Sequence, residues 1–167
     1  MKKQGDYVIQ LAGLSIGNHR FNFVVDDKFC AKHEKSVAKH GNINLAVTLV
    51  KQDRIMVLDF TYEGWIRLTC HRCLDEFDFP MVGTNRMLVK PSGHHEEETD
   101  EIIIVDNGES ELDLSQYIFE HIELKIPLRT VHPDDGDGNS LCNKETLRIL
   151  NKHLVKQEEE EEKETSD

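Results

Sequence analysis

The chain has 167 residues, 31% of them charged, and a formal net charge of -12. That length fits a single domain able to bury a core without staples. The acidic balance argues against a general nucleic-acid binder, whose footprint is basic, while leaving room for a local basic patch.

The final twelve residues, 156–167, carry -5 of this charge and leave -7 on residues 1–155. A glutamate run of that kind has nothing to bury, so 156–167 read as a disordered acidic tail behind a single domain over 1–155. No apolar run approaches the roughly 18 residues that a membrane span needs. Four cysteines and no export signal point to a reducing cytoplasm, with thiols free or metal-bound.

In chain order, Tyr7-Val8-Ile9-Gln10-Leu11 reads as a strand ended by Ala12-Gly13, and residues 19–25 alternate as a second strand stopped by Asp26-Asp27. Residues 28–41 hold Lys28, Lys32, Lys35 and Lys39; as a helix, these lysines share one face and make either a phosphate-contacting stripe or a solvated surface. Ile43, Leu45, Val47 and Leu49 alternate with smaller or polar residues, and residues 55–62 return after a polar turn, which predicts a hairpin. Gly64 is read as the break before the next strand, and an extended piece over 84–89 follows Pro80. Residues 102–105 are a short buried strand. The best helix spans 113–124, with Leu114, Tyr117, Ile118, His121 and Ile122 at helical spacing and Pro127 forbidding continuation. On that stripe His121 is a core-edge residue. A last helix starts near Asn143, with Leu147, Leu150 and Leu154 as its stripe. Consecutive strands with short links imply an α+β fold: a curled, mainly antiparallel, barrel-like sheet with two or so helices in the C-terminal half.

The sharpest motif is Cys70-His71-Arg72-Cys73, placed where one alternating run (Ile66, Leu68) turns toward another (Phe77, Phe79). A tight turn can aim two thiolates at one ion, so C-x-x-C is half of a zinc site, and His132 and Cys142 can complete it. The other reading is a pair of reduced thiols in a turn. A thioredoxin-like role is disfavoured, because that chemistry needs the first cysteine at a helix N-terminus and strand-like residues follow here. His94 and His95, beside an acidic run, lack partners at ligand spacing. Asp134, Asp135 and Asp137 resemble half a calcium loop without its closing glutamate. No nucleotide-binding loop or nucleophile elbow is present, so the residues predict no enzyme.

Three segments together resemble the YceD family, bacterial and plastid proteins tied to accumulation of 23S ribosomal RNA. They are Gly13-Leu14-Ser15-Ile16-Gly17-Asn18-His19 with Phe21, Phe23 and Asp26-Asp27-Lys28-Phe29; Leu68-Thr69-Cys70-His71-Arg72-Cys73-Leu74-Asp75-Glu76-Phe77; and Leu114-Ser115-Gln116-Tyr117-Ile118-Phe119-Glu120 leading to Ile126-Pro127-Leu128-Arg129 and Val131-His132. The resemblance runs over about residues 7–142. It implies a non-catalytic cytoplasmic factor in large-subunit biogenesis. Many family members carry further cysteines after the Leu-Pro segment, which would complete a zinc site; this chain has Asp134 and Asp135 there and only Cys142 downstream.

An RNA factor with an acidic body needs a local patch, for which Lys32, Lys35, Lys39, Arg67 and Arg72 are the candidates. Alternatively the chain binds a basic ribosomal protein, with the acidic tail screening it. The expected partner is thus 23S precursor RNA, a pre-50S particle or a basic ribosomal protein. The competing readings are a zinc- or thiol-dependent protein centred on Cys70 and Cys73, and a scaffold that binds another protein through a sheet edge.

Overall fold

The structure, a computed structural model, describes residues 7–33, 36–92, 99, 101–106 and 108–153. Lys35, Leu154, the His94-His95 pair and the acidic tail lie outside these. The elements are β1 (Val8–Gln10), β2 (Gly17–Val25), α1 (Asp27–Lys32), β3 (Gly41–Lys51), β4 (Met56–Thr69), β5 (Glu76–Pro91), β6 (Ile102–Val105), β7 (Glu111–Asp113), α2 (Ser115–Lys125) and a third helix, α3, over residues 144–153. The chain forms two compact units, Met1–Ile66 with Phe79–Ile126, and Arg67–Asp78 with Pro127–Asp167. None of the described helices is long and apolar enough to cross a membrane.

The larger unit is built on a five-stranded sheet in the order β2-β3-β4-β5-β6. The β2/β3 and β3/β4 ladders are antiparallel, and β6 joins β5 in parallel. The sheet is open, so the barrel-like expectation is corrected. Closure needs the two outer strands to pair, and β2 and β6 instead end the sheet. The α+β class and the mainly antiparallel pairing stand. A second, two-stranded sheet joins β1 to β7 antiparallel. The three-residue β7 was not anticipated, because Glu-Leu-Asp is too short to show a period.

Alternation places Ile43, Leu45, Val47 and Leu49 on one face of β3, and all four are buried. Leu58, Phe60, Tyr62 and Ile66 extend that face on β4. On α2, Ile118 is buried beside the fully buried Leu114 that precedes the helix, while Tyr117, His121 and Ile122 are half-buried. His121 is satisfied at both ring nitrogens, by the Tyr117 carbonyl at 2.7 Å and by the Asn85 amide. That is the core-edge role expected of it.

Two local expectations are corrected, and one segment left open is decided. Gly64 does not end a strand; it lies inside β4, opposite Ile43. A Cβ there would fall 2.6 Å from the Ile43 Cα, so close approach of two backbones explains the glycine. Pro80 likewise sits inside β5, upstream of Leu88 where the pairing with β6 begins, so β6 asks no N–H of it. The segment 28–41, considered as a helix only conditionally, is helical no further than Lys32. Asp26 caps it by accepting from the Lys28 and Phe29 amides at 3.1 Å each. Asp27 then draws the chain back, accepting from the Gly41 amide at 3.0 Å and meeting His40 Nδ1 at 3.1 Å. Lys28 and Lys32 are helical, but Lys39 follows in a loop, so the single four-lysine face does not form.

Candidate metal centre

The smaller unit is organised by the turn between β4 and β5. The Cys70 amide donates to the Asp75 carbonyl and the Leu74 amide to the Cys70 carbonyl, both at 2.9 Å. Leu74 closes the turn in the left-handed region, with φ 64°. This reversal aims both sulfurs inward, and the Arg72 amide approaches Cys70 Sγ at 3.4 Å.

The second segment is fastened to this turn by hydrogen bonds. The His71 amide donates to the Thr130 carbonyl, and Thr130 Oγ1 donates to the Thr69 carbonyl, both at 2.8 Å. Arg72 Nη1 donates to Ser140 Oγ at 3.1 Å, and that oxygen also accepts from the Cys142 amide at 3.2 Å. Asn143 caps α3, its Oδ1 accepting from the Glu145 and Thr146 amides, while its Nδ2 donates to Asp75 at 3.1 Å. These bonds bring His132 and Cys142 to the C-x-x-C turn across about 60 and 70 intervening residues.

The result is a set of four donors, Cys70, Cys73, His132 and Cys142, with ligand atoms all within 4.8 Å of one another. Cys70 and Cys142 Sγ are 3.7 Å apart, and Cys73 Sγ is 3.4 Å from His132 Nδ1. The three cysteines are buried, His132 is half-buried, and Phe77, Val131 and Leu147 pack around the sulfurs. The Phe77 ring lies against the His132 ring, with centroids 4.7 Å apart. These residues are close enough to hold one metal ion.

Burial raises the Cys70 thiol, but the amides of Cys73, Arg72 and His132, together with the His132 side chain, outweigh it and bring it down to about 5. Burial pushes the Cys73 thiol the other way, against hydrogen bonds from Asn143 and Asp75 and with Cys70 and Cys142 adding to the rise. Two sulfurs so close cannot both carry charge cheaply without a cation between them.

The other sequence candidates fall elsewhere. Arg67 forms an ion pair with Asp78 at 2.8 Å, and Arg72 is half-buried on Ser140. Lys32 and Lys39 are exposed but belong to the larger unit. The Asp134–Asp137 loop is not a cation cage. The Asp135 carboxylate is occupied by the Asp137 and Asn139 amides at 3.1 and 2.7 Å and by Asn139 Nδ2, and these bonds hold its pKa low. Among the described residues, only the Cys/His set groups three or more ligands. One row was missed in the sequence: Lys144, Arg148 and Lys152, all exposed on α3. Their spacing of four is legible in the sequence beside the apolar stripe of Leu147, Leu150 and Leu154.

A family model described as large ribosomal RNA subunit accumulation protein YceD matches residues 58–167. The match takes in the whole Cys/His set and α3, and leaves out the N-terminal segment with Gly13 and Phe29. Neither a curated protein nor a solved structure matches the chain.

Proposed function

We propose, from the premise that this chain belongs to the YceD family of large ribosomal RNA subunit accumulation proteins, that its smaller unit is a zinc-stiffened RNA-contact module. It acts by binding the 23S precursor or a pre-50S particle in the cytoplasm, and catalyses nothing. The donor set carries this reading. Tetrahedral zinc with Zn–S near 2.3 Å and Zn–N near 2.0 Å separates two sulfurs by about 3.8 Å and a sulfur from a nitrogen by about 3.5 Å. Two of the six donor pairs, at 3.7 and 3.4 Å, agree with that geometry, and all six lie within 4.8 Å. Zinc would supply a structural link between the two segments and the positive charge that crowded thiolates need. Burial of all three sulfurs favours ligands over nucleophiles, since a nucleophile needs a path to its substrate.

Zinc would hold the turn and the start of α3 together, and α3 presents Lys144, Arg148 and Lys152 on one exposed face. Phosphate contacts by such residues supply most nucleic-acid affinity, so an acidic chain needs only a local row of this kind. Arg72, steadied by Ser140, and Arg67 contribute at the turn. Binding of a 23S precursor fragment, titrated against salt, tests the assignment. Reversing the row (K144E, R148E and K152E together) lowers the slope of log K against log salt by about 2 to 3, near one per phosphate lost. An unchanged slope overturns it. Capture of a basic ribosomal protein that survives RNase, with no binding to the RNA fragment, moves the assignment to a protein partner.

A further inference from the structure

We propose that the acidic segment 158–162 docks on the basic row of α3 within the same chain and competes there with the phosphate backbone of RNA. The competition rests on the reading of that row as the RNA contact; the docking does not. Several cations of the described residues are already spent: Arg67 on Asp78, Arg86 on Asp59, Arg72 on Ser140 and Lys51 on the Leu14 carbonyl. Lys144, Arg148 and Lys152 are exposed, and none of them has an ion pair or side-chain hydrogen bond among the described residues. The described part of α3 sets these three charges against one acid, Glu145, in a chain whose net charge is -12. A row of cations left open in so acidic a chain is a site for an anion.

Length and charge select the segment. From Lys144 to Lys152 the row covers about 12 Å along the helix axis. Residues 158–162 are consecutive glutamates, and the extended steps from the first to the last cover about 13 Å. Residues 154–157 remain to reverse the chain, enough for one tight turn. Continuation of α3 into the glutamates is opposed twice. Acids at a helix C-terminus meet the negative end of its dipole, and Glu158 and Glu162 repel each other at a spacing of four.

Tethering selects the chain's own copy of the segment. A short tether holds its end at an effective concentration on the order of millimolar. The same segment of a second copy, or a free acidic partner, meets the row only at its bulk concentration. At micromolar protein the chain's own glutamates are therefore favoured about a thousandfold. Exposed ion pairs are individually weak and screened by salt, so the contact is shallow and reversible. A line of carboxylates offers the row what a phosphate backbone offers, and RNA must displace it to bind.

Zero-length carbodiimide coupling of the full chain, mapped by mass spectrometry, tests the docking without RNA. It joins a carboxylate to a lysine amine where the two form an ion pair. The expected product at about 50 mM salt is a link from 158–162 to Lys144 in chains that stay at 19.3 kDa. The link is lost near 1 M salt, where the Debye length is about 3 Å. Lys144 is the informative site, because Lys152 is close to the segment in sequence in any case. No link to Lys144, or one found only in coupled dimers, overturns the docking. Competition is read separately. E158Q, E159Q, E160Q, E161Q and E162Q together tighten binding of a 23S precursor fragment about three- to tenfold at low salt. In a K144Q/R148Q/K152Q chain the same five changes give no gain. An unchanged affinity overturns the competition, and so does a gain that persists in that background, since it is long-range repulsion. A link to Lys144 in a chain that binds no RNA fragment keeps the docking and sinks the RNA assignment of the row instead.

Discussion

In the larger unit the innermost side chains are hydrocarbon: Ile9, Ile43, Leu49, Leu58 and Ile103 are each at most 1% exposed. In the smaller unit the cluster at the centre is sulfur, with Cys70, Cys73 and Cys142 at 0, 3 and 3%. The larger unit has sheet faces and a helix to pack, and burying apolar area is enough to hold it. The smaller has two segments and few buried hydrocarbon side chains beside the sulfurs, Leu68 among them, while Leu74 is 73% and Leu128 102% exposed. So small an assembly needs a staple, and a donor set within reach of one ion is the staple available to it. The same four positions would be a poor core without metal and a rigid one with it.

The comparison breaks most sharply at Cys142→Ser. Loss of an outer partner of a zinc ligand already costs up to about 100-fold in affinity, so loss of a ligand costs at least that. Metal analysis should fall from one zinc per chain to a substoichiometric value. Amide exchange should speed up over 67–78 and 127–153, while the sheet stays protected. A chelator should produce the same pattern in the unaltered chain; equal loss of protection in both units would show that they are not held by different means. Leu49→Ala is the converse. It opens a cavity in the hydrocarbon core and should cost about 2–5 kcal/mol in denaturant unfolding, with zinc content unchanged. The smallest effect expected is that of Asn143→Ala, about 1 kcal/mol from the lost cap of α3. It should be read as faster exchange at the Glu145 and Thr146 amides. No change there would mean that the metal, and not the cap, starts that helix.

Much of this was legible before any coordinates. Period-two alternation marked β2, β3, β4 and the 84–89 stretch of β5, while β6 was marked by its unbroken apolar run. The C-x-x-C turn, with His132 and Cys142 as candidate partners, was legible because tight spacing already places two sulfurs together. Errors came where a residue's ordinary meaning was reversed by its neighbour. Gly64 looked like punctuation, but it is the place where β3 comes too near for a side chain. The extended piece read after Pro80 is instead continuous with it, because Pro80 lies inside β5 upstream of the residues that β6 pairs. The lysines after Asp26 suggested one helical face, yet Asp27 ties the chain back to Gly41 and ends the helix early.

From the order of residues alone came the α+β class, the thiol turn and the family resemblance, since each rests on short-range spacing that survives without a fold. Three things required the folded chain: the open edge at β2, the division into two units, and the meeting of Cys70 with Cys142 at 3.7 Å. Each of these depends on which distant segments come into contact. That is settled by packing and by bonds such as Thr130 to Thr69 and Asn143 to Asp75, which no local period encodes.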